Sequence, residues 1–156
     1  MILKKIVSGG QSGADQGGLI AGKRAGLATG GWIPKGFLTE FGKKPELGTE
    51  YGLVEHSSSS YVPRTYANAK DSDGTIRIAY DFHSAGEICT LKAINQYNKP
   101  YFDVNVFGPQ EHEKAAQWII ENQIQVLNVA GNRESKCPGL EEFTINYLLE
   151  VFACLR

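Results

Sequence analysis

The chain has 156 residues, of which 42% are hydrophobic and 21% charged, and its formal net charge is −1 at pH 7. This length fits one domain, residues 1–156, whose core needs no disulfide or metal ion. The charge argues against nucleic-acid binding by bulk electrostatics, and no apolar run reaches the ~18 residues of a membrane span.

The cysteines and histidines argue against a disulfide-bonded secreted protein and against a metal-binding protein. The three cysteines, Cys89, Cys137 and Cys154, contain no Cys-x-x-Cys pair, and their odd number favours a reduced, cytoplasmic protein. No secretory apolar region is recognisable, which agrees with that expected location. The three histidines are far apart in the sequence, so we expect no metal site.

Strand-like and helix-like patterns alternate along the chain. Strands are predicted at residues 2–7, 28–33, 75–80, 101–104 and 125–129. Helices are predicted at residues 13–25, 62–72, 86–97, 110–122 and 139–154. Strands that alternate with such helices are typical of βαβ units with right-handed crossovers. We therefore expect a single Rossmann-like α/β domain of three layers with a mainly parallel sheet of about five strands.

A glycine-rich segment follows the first predicted strand and opens the first predicted helix. Glycines let a ligand approach main-chain N–H groups, and the helix N-terminus favours a phosphate or another anion. The spacing is neither the dinucleotide fingerprint nor a P-loop. The predicted ligand-binding residues here are Gly9, Gly10, Gln11, Ser12, Gly13 and Asp15. We expect Gly10→Val to abolish ligand binding and to leave the fold largely intact.

A structural alternative exists for the same segment. Ser12 and Asp15 have the Ser-x-x-Asp spacing of a capping box, which would satisfy helix N–H groups without any ligand. Gly18 falls on one face with other small residues, and this stripe lets a helix lie close to a sheet. Both interpretations stay open at this point.

Residues 34–60 form a long connection between the second predicted strand and the next helix. A connection of this length is either functional or disordered. Aromatic residues at its two ends, Trp32, Phe37, Tyr51 and Tyr61, offer apolar area for packing. A lid, a subunit contact and disorder all remain open. We expect a homo-oligomer in which this segment takes part in the interface.

The carboxyl ends of the predicted strands indicate where a ligand binds in a sheet of this kind. Besides the glycine-rich segment, the candidate ligand-binding residues at these ends are Trp32, Lys35, Ser84, Ala85, Gly86, Glu87, Asn132, Arg133, Glu134 and Ser135. Arg133 suits a bidentate contact to phosphate or carboxylate, although a solvated loop would also contain such residues. Glu87 is interpreted as a helix cap in preference to a phosphate neighbour or a general acid or base.

Five sequence blocks resemble, in order, those of the family named putative molybdenum carrier proteins. The blocks are Gly9–Asp15, Gly30–Gly36, Arg64–Thr65, Asp71–Thr75 and Gly131–Gly139. That family is similar to the Rossmann-like group of Lonely Guy and lysine-decarboxylase-like phosphoribohydrolases. The resemblance implies an oligomeric subunit that holds the phosphorylated pterin molybdenum cofactor or a nucleotide-like ligand. It also implies that Gly9–Gly13 form a phosphate loop, Ser84–Gly86 a second anion loop and Asn132–Ser135 a third wall.

Two departures from the family pattern bear on catalysis. The second loop of the family tends to read Ser-Gly-Gly-Thr, whereas this chain has Ala85 and Glu87 within it. The catalytic glutamate of the phosphoribohydrolases would fall at Thr90. We therefore expect a carrier or binding protein without catalytic residues. The alternatives are a nucleotide-processing enzyme, such as a nucleoside-monophosphate glycosidase, and an interaction subunit without a small ligand.

Overall fold

The computed structural model describes residues 1–156. Its strands are β1 (Lys5–Val7), β2 (Ala28–Ile33), β3 (Leu38–Thr39), β4 (Gly42–Lys43), β5 (Leu53–Glu55), β6 (Gly74–Ala79), β7 (Tyr101–Asn105) and β8 (Val126–Gly131). Its helices are α1 (Ala14–Arg24), α2 (Glu46–Tyr51), α3 (Tyr61–Lys70), α4 (Ala85–Gln96), α5 (His112–Glu121) and α6 (Leu140–Ala153). None of these helices combines the length and the apolar character needed to cross a membrane.

Six parallel strands form the central sheet in the order β5-β2-β1-β8-β6-β7. The winding runs from β1 to one edge at β5 and then from β6 to the other edge at β7. The last strand, β8, lies between β1 and β6. Because ligands bind where the winding of such a sheet reverses, the loops after β1, β6 and β8 are brought to the expected position of a site.

The fold class is confirmed: the chain forms one α/β domain with helices on both faces of a parallel sheet. Helices α1, α5 and α6 cover one face, and α3 and α4 pack together on the other. The sheet has six strands, one more than expected. The additional strand, β5, has only three residues, of which Val54 and Glu55 are exposed. It therefore has no alternation of buried and exposed positions from which a strand could be predicted.

Residues 34–60 are ordered, so the possibility of disorder is wrong. They contain the β3–β4 hairpin, α2 and β5. A small core of Leu19, Ile33, Leu47 and Leu53, with Phe37 and Tyr51 against it, packs this segment onto the sheet edge. The main core of 18 buried residues lies between the sheet and the α1, α5 and α6 layer.

The small-residue face of α1 lies directly on the central strands. A Cβ at Gly18 would lie 2.6 Å from Cβ of Val129 on β8, and one at Gly22 would lie 2.7 Å from Cγ1 of Ile6 on β1. These contacts confirm the close packing expected of Gly18. They also fix the start of α1 beside the loop that follows β8, where the backbone N–H of Ala14 donates to the carbonyl of Asn132 at 3.3 Å.

We expect Gly18→Ala to lower the free energy of unfolding by about 1–3 kcal/mol, because overpacking forces the helix away from β8. Urea denaturation measures this change. Gly86→Ala is the matched control, since nothing lies within 4 Å of a Cβ at Gly86. The control should be as stable as the parent or slightly more stable. Equal stability of the Gly18→Ala variant would contradict the close contact.

Candidate functional site

A cavity of about 220 Å³ lies at the carboxyl ends of β1, β8 and β6. Its walls come from the first loop, from α3, from the start of α4 and from the loop after β8. The lining residues are Gln11, Asp15, Tyr61, Arg64, Thr65, Ser84, Ala85, Gly86, Glu87, Thr90, Ala130, Gly131, Asn132, Arg133 and Lys136. Three separate sequence segments that were predicted to bind a ligand therefore meet in one place.

The predicted residues divide into three groups. Those that line the cavity are Gln11, Asp15, Ser84, Ala85, Gly86, Glu87, Asn132 and Arg133. Gly9 lines a much smaller adjoining pocket. The remaining predicted residues do not line the cavity; they are Gly10, Ser12, Gly13, Trp32, Lys35, Glu134 and Ser135. Trp32 instead donates from Nε1 to the Asp71 carboxylate at 2.9 Å.

Three N–H groups of the first loop are bound by side chains of the loop itself and of α1. The N–H of Gly10 donates to Oγ of Ser8, that of Gln11 to the Asp15 carboxylate, and that of Ser12 to Oε1 of Gln11. Side chains of the protein thus bind three of the main-chain N–H groups that were predicted to contact a phosphate. The capping box, which was the structural alternative for this segment, is not formed, because the Ser12 hydroxyl donates to the Glu40 carboxylate.

Gly10 is required by the fold. Its φ of 76° is in the left-handed region, and a Cβ there would lie 2.6 Å from Cδ1 of Ile33 and 2.8 Å from Cδ1 of Leu53. Both neighbours belong to the small core at the sheet edge. The expectation that Gly10→Val leaves the fold intact is therefore wrong, since a branched side chain would collide with this core.

The second loop offers unbound donors at the start of α4. The Ser84 hydroxyl accepts a hydrogen bond from the N–H of Glu87 at 3.4 Å and so caps the helix. The N–H groups of Ala85 and Gly86 make no hydrogen bond within the protein, and both residues line the cavity. With the positive end of the helix dipole, these groups favour an anion.

Glu87 lies in the first turn of α4, but its carboxyl group does not cap the helix. The residue is only 3% exposed, it lines the cavity, and its Oε1 has no hydrogen-bond partner. The capping role expected of Glu87 is performed by Ser84. Burial, followed by the negative charge of Asp15, raises the pKa of Glu87 to about 8. The group is therefore an uncharged acid at neutral pH.

Asp15 and Arg64 form the deep wall of the cavity. Burial raises the pKa of Asp15 to about 6, although the charge of Arg64 and the N–H groups of Gln11 and Gly9 oppose this rise. The Arg64 guanidinium lies against Gly9, where a Cβ would be 2.6 Å from its Cζ. Its Nη1 donates to the Thr65 hydroxyl at 2.8 Å, while its Nε is buried without a partner.

Sequence reasoning missed Arg64 as a site residue. Arg64 belongs to the Arg64–Thr65 block that resembles the family. No local sequence pattern, however, predicts that an arginine on α3 contacts the loop after β1. Lys136 and Tyr61 were missed in the same way, although all three line the cavity. Thr90 also lines the cavity, and its hydroxyl donates to the Gly86 carbonyl at 3.0 Å. The position at which the phosphoribohydrolases would have their catalytic glutamate is therefore a threonine without a carboxylate.

The third loop is braced by two predicted residues. Oδ1 of Asn132 accepts from the N–H groups of Tyr80 and Asp81, and its Nδ2 donates to the Asp81 carbonyl at 3.0 Å. The Glu134 carboxylate accepts from the N–H groups of Gly139 and Glu141 at the start of α6. Asn132 thereby fixes the loop after β6 against the loop after β8.

Glu40, at the tip of the β3–β4 hairpin, joins the first and third loops. Its carboxylate accepts hydrogen bonds from the hydroxyls of Ser12 and Ser135 and from the N–H of Ser135, and Nε of Arg133 lies 3.7 Å away. Burial opposes ionisation, but these hydrogen bonds and the charge of Arg133 together lower the pKa of Glu40. We refer to the hairpin with Glu40 (residues 38–43) as the strap.

An ion pair between the buried Arg77 and the exposed Asp103 supports the start of α4. Arg77 on β6 binds the Asp103 carboxylate through Nε at 2.8 Å and Nη2 at 2.6 Å, and its Nη1 donates to the Glu87 carbonyl at 3.2 Å. Arg77 therefore holds the Glu87 backbone, while the Asp103 carboxylate balances part of its charge. The sequence contained a signal for it, namely a cation within the apolar strand β6.

The protonation of Glu87 leads to a pH dependence of stability. Between pH 4.5 and about 8 the folded state retains a proton on Glu87 that the unfolded chain has lost, so the free energy of unfolding falls as the pH rises. We expect Glu87→Gln to remove a fall on the order of 2 kcal/mol or more between pH 5 and pH 8.5. Urea denaturation over this range measures the difference. Glu150→Gln, at an exposed position on α6, should behave as the parent does. Parallel pH profiles for the parent and the Glu87→Gln variant would contradict a buried acid.

Comparisons with known proteins agree with this fold. A model of the Circularly permutated YpsA SLOG family (cpYpsA) matches residues 6–152. The chain is also similar to the crystal structure of a Putative molybdenum carrier protein from Syntrophus aciditrophicus SB. The TM-score is 0.86 at 39% identity, covering 97% of this chain and 95% of that one. No curated protein gives a significant match. The resemblance to the carrier family is confirmed, and the chain belongs to the Circularly permutated YpsA SLOG family.

Proposed function

We propose that the chain binds and carries a small phosphorylated ligand, either the pterin of the molybdenum cofactor or a nucleotide, in the cavity at the strand ends. The observation that carries this proposal is the pair of unbound N–H groups of Ala85 and Gly86 at the start of α4. The name of the similar protein, a molybdenum carrier, supports a carrier role and the pterin as the cargo.

The phosphate of the ligand would bind at the start of α4. Arg133 and Lys136 also line the cavity and are exposed to solvent, so both can reach an anion that enters. Glu87 in its acid form adds no negative charge there. The remainder of the ligand would extend along Ala130 and Gly131, which line the cavity at the end of β8 with no side chain larger than a methyl group.

A second candidate function is a nucleotide-processing enzyme. Glu87 favours it, because a buried carboxyl group with a raised pKa is able to donate a proton to a leaving group. An assay for the released base separates the two candidates. Saturable binding of GMP or AMP without release supports the carrier, whereas release of the base supports the enzyme.

We also infer that the protein is a homo-oligomer in the cytoplasm. Phe41 on the strap is 60% exposed and Val54 on β5 is 55% exposed, so the region of residues 34–60 presents apolar side chains to a partner. Light scattering measures the mass, and a monomeric mass at micromolar concentration would overturn the inference.

The phosphate position is tested by Gly86→Asp, with Gly86→Asn as the matched neutral control. A side chain at Gly86 meets open space, so both variants should fold. The added carboxylate would repel a phosphate at the helix start, and we expect Gly86→Asp to weaken GMP binding at least tenfold more than Gly86→Asn does. Calorimetry measures both affinities. Equal losses in the two variants would indicate that the phosphate binds elsewhere.

Arg133→Ala tests the charged contact at the cavity mouth. We expect it to weaken binding of GMP by ~1.5–3 kcal/mol, the usual contribution of a charged hydrogen bond, and to leave binding of guanosine nearly unchanged. Thermal shift with each ligand and with released molybdenum cofactor provides the measurement. Equal losses for the nucleotide and the nucleoside would argue against an anion contact by Arg133.

A further inference from the structure

Four groups with hydrogen-bonding capacity that the protein leaves unused belong to residues that line the same cavity. Two are the N–H groups of Ala85 and Gly86. The third is Nε of Arg64 and the fourth is Oε1 of Glu87, both of them buried without a partner. Buried polar side-chain atoms are nearly always paired in native proteins, so unpaired ones in residues that line a cavity indicate a ligand-binding site.

The protein holds these groups in place. The Arg64 guanidinium is fixed by the Thr65 hydroxyl and by its contact with Gly9, and Nε can act only as a donor. The Glu87 backbone is fixed by Arg77 at its carbonyl and by Ser84 at its N–H. If Glu87 carries a proton, all four groups are donors, and the natural complement to such a set is an anion with acceptor oxygens only.

We propose that Glu87 binds the phosphate of the ligand as an undissociated acid, so that this site takes up an oxyanion together with a proton. This inference rests on the proposed function, because it assigns the way in which the same cavity recognises the phosphate. A carboxylate at this position would repel the phosphate, whereas the acid donates a hydrogen bond to it.

The charges around Glu87 favour the acid form. Asp15 on α1 and Asp103 on β7 oppose its ionisation, while Arg77 on β6 and Arg64 on α3 favour it. Asp103 already binds Arg77 at 2.6 Å, and the charge of Arg64 acts on Asp15. Together with burial, this balance raises the pKa of Glu87 to about 8, in agreement with a proton present at neutral pH.

Sulfate is the suitable probe, because it does not titrate between pH 6 and 10 and offers acceptors only. We expect the sulfate affinity of the parent protein to fall by about tenfold per pH unit well above pH 8. In Glu87→Gln the amide always donates, so its affinity should stay within about threefold across the range. Calorimetry in two amine buffers of different ionisation enthalpy also counts the protons taken up by the parent protein. The count should approach one at pH 9 and none at pH 6.5.

The possible results separate this inference from the proposed function. A pH-dependent parent with proton uptake, beside a pH-independent variant, supports a protonated Glu87. Identical pH profiles, or binding at pH 9 without proton uptake, would overturn the inference and leave the proposed function in place if GMP still binds. Binding of neither sulfate nor GMP at any pH would overturn both. If Glu87→Gln does not fold, the proton count of the parent protein alone decides the inference.

Discussion

The position of β8 between β1 and β6 is the constraint on which the site depends. It brings the ends of these three strands side by side, and the loops that follow them form most of the cavity wall. Gly131, at the end of β8, makes this possible, because a Cβ there would collide with the Ile78 carbonyl on β6 and with Ala14 on α1. The small residues of α1 then let the helix lie close enough for its first turn to reach the same cavity.

The burial of the Glu87 carboxyl group, whose Oε1 has no hydrogen-bond partner, determines the electrostatics of the cavity. The two arginines whose charges act on Glu87 each face an aspartate: Arg77 binds Asp103, and Arg64 compensates Asp15. Glu87 has no remaining counter-charge, and an ionised carboxylate so deeply buried would be costly. Protonation resolves this conflict. Glu87 is neutral at neutral pH, where Asp15 is mostly charged, so two carboxyl groups with different protonation states share one small site.

Features that depend on residues close together in the sequence could be predicted, whereas contacts between residues far apart in the sequence could not. Helices such as α4 and α6 were predicted within about two residues because their apolar periodicity is local. The candidate loops were predicted from the general position of sites at strand ends, and they do meet in one cavity. Glu40 could not be predicted, since it contacts Ser12 and Ser135 across 28 and 95 residues of sequence. Ser12 therefore has a structural role that its place in a glycine-rich loop concealed.

Glu87 and Glu40 are both acids beside predicted anion loops, and their environments give them opposite protonation states. Glu40 accepts three hydrogen bonds and faces Arg133, so its pKa is lowered and it serves as an internal anion that ties the strap to the loops. Glu87 accepts none at Oε1, so its pKa is raised and its hydrogen-bonding capacity remains available. The first and third loops are thus joined by an anion of the protein itself. The start of α4 is where unbound donors remain, and it is there that an external anion would find its contacts.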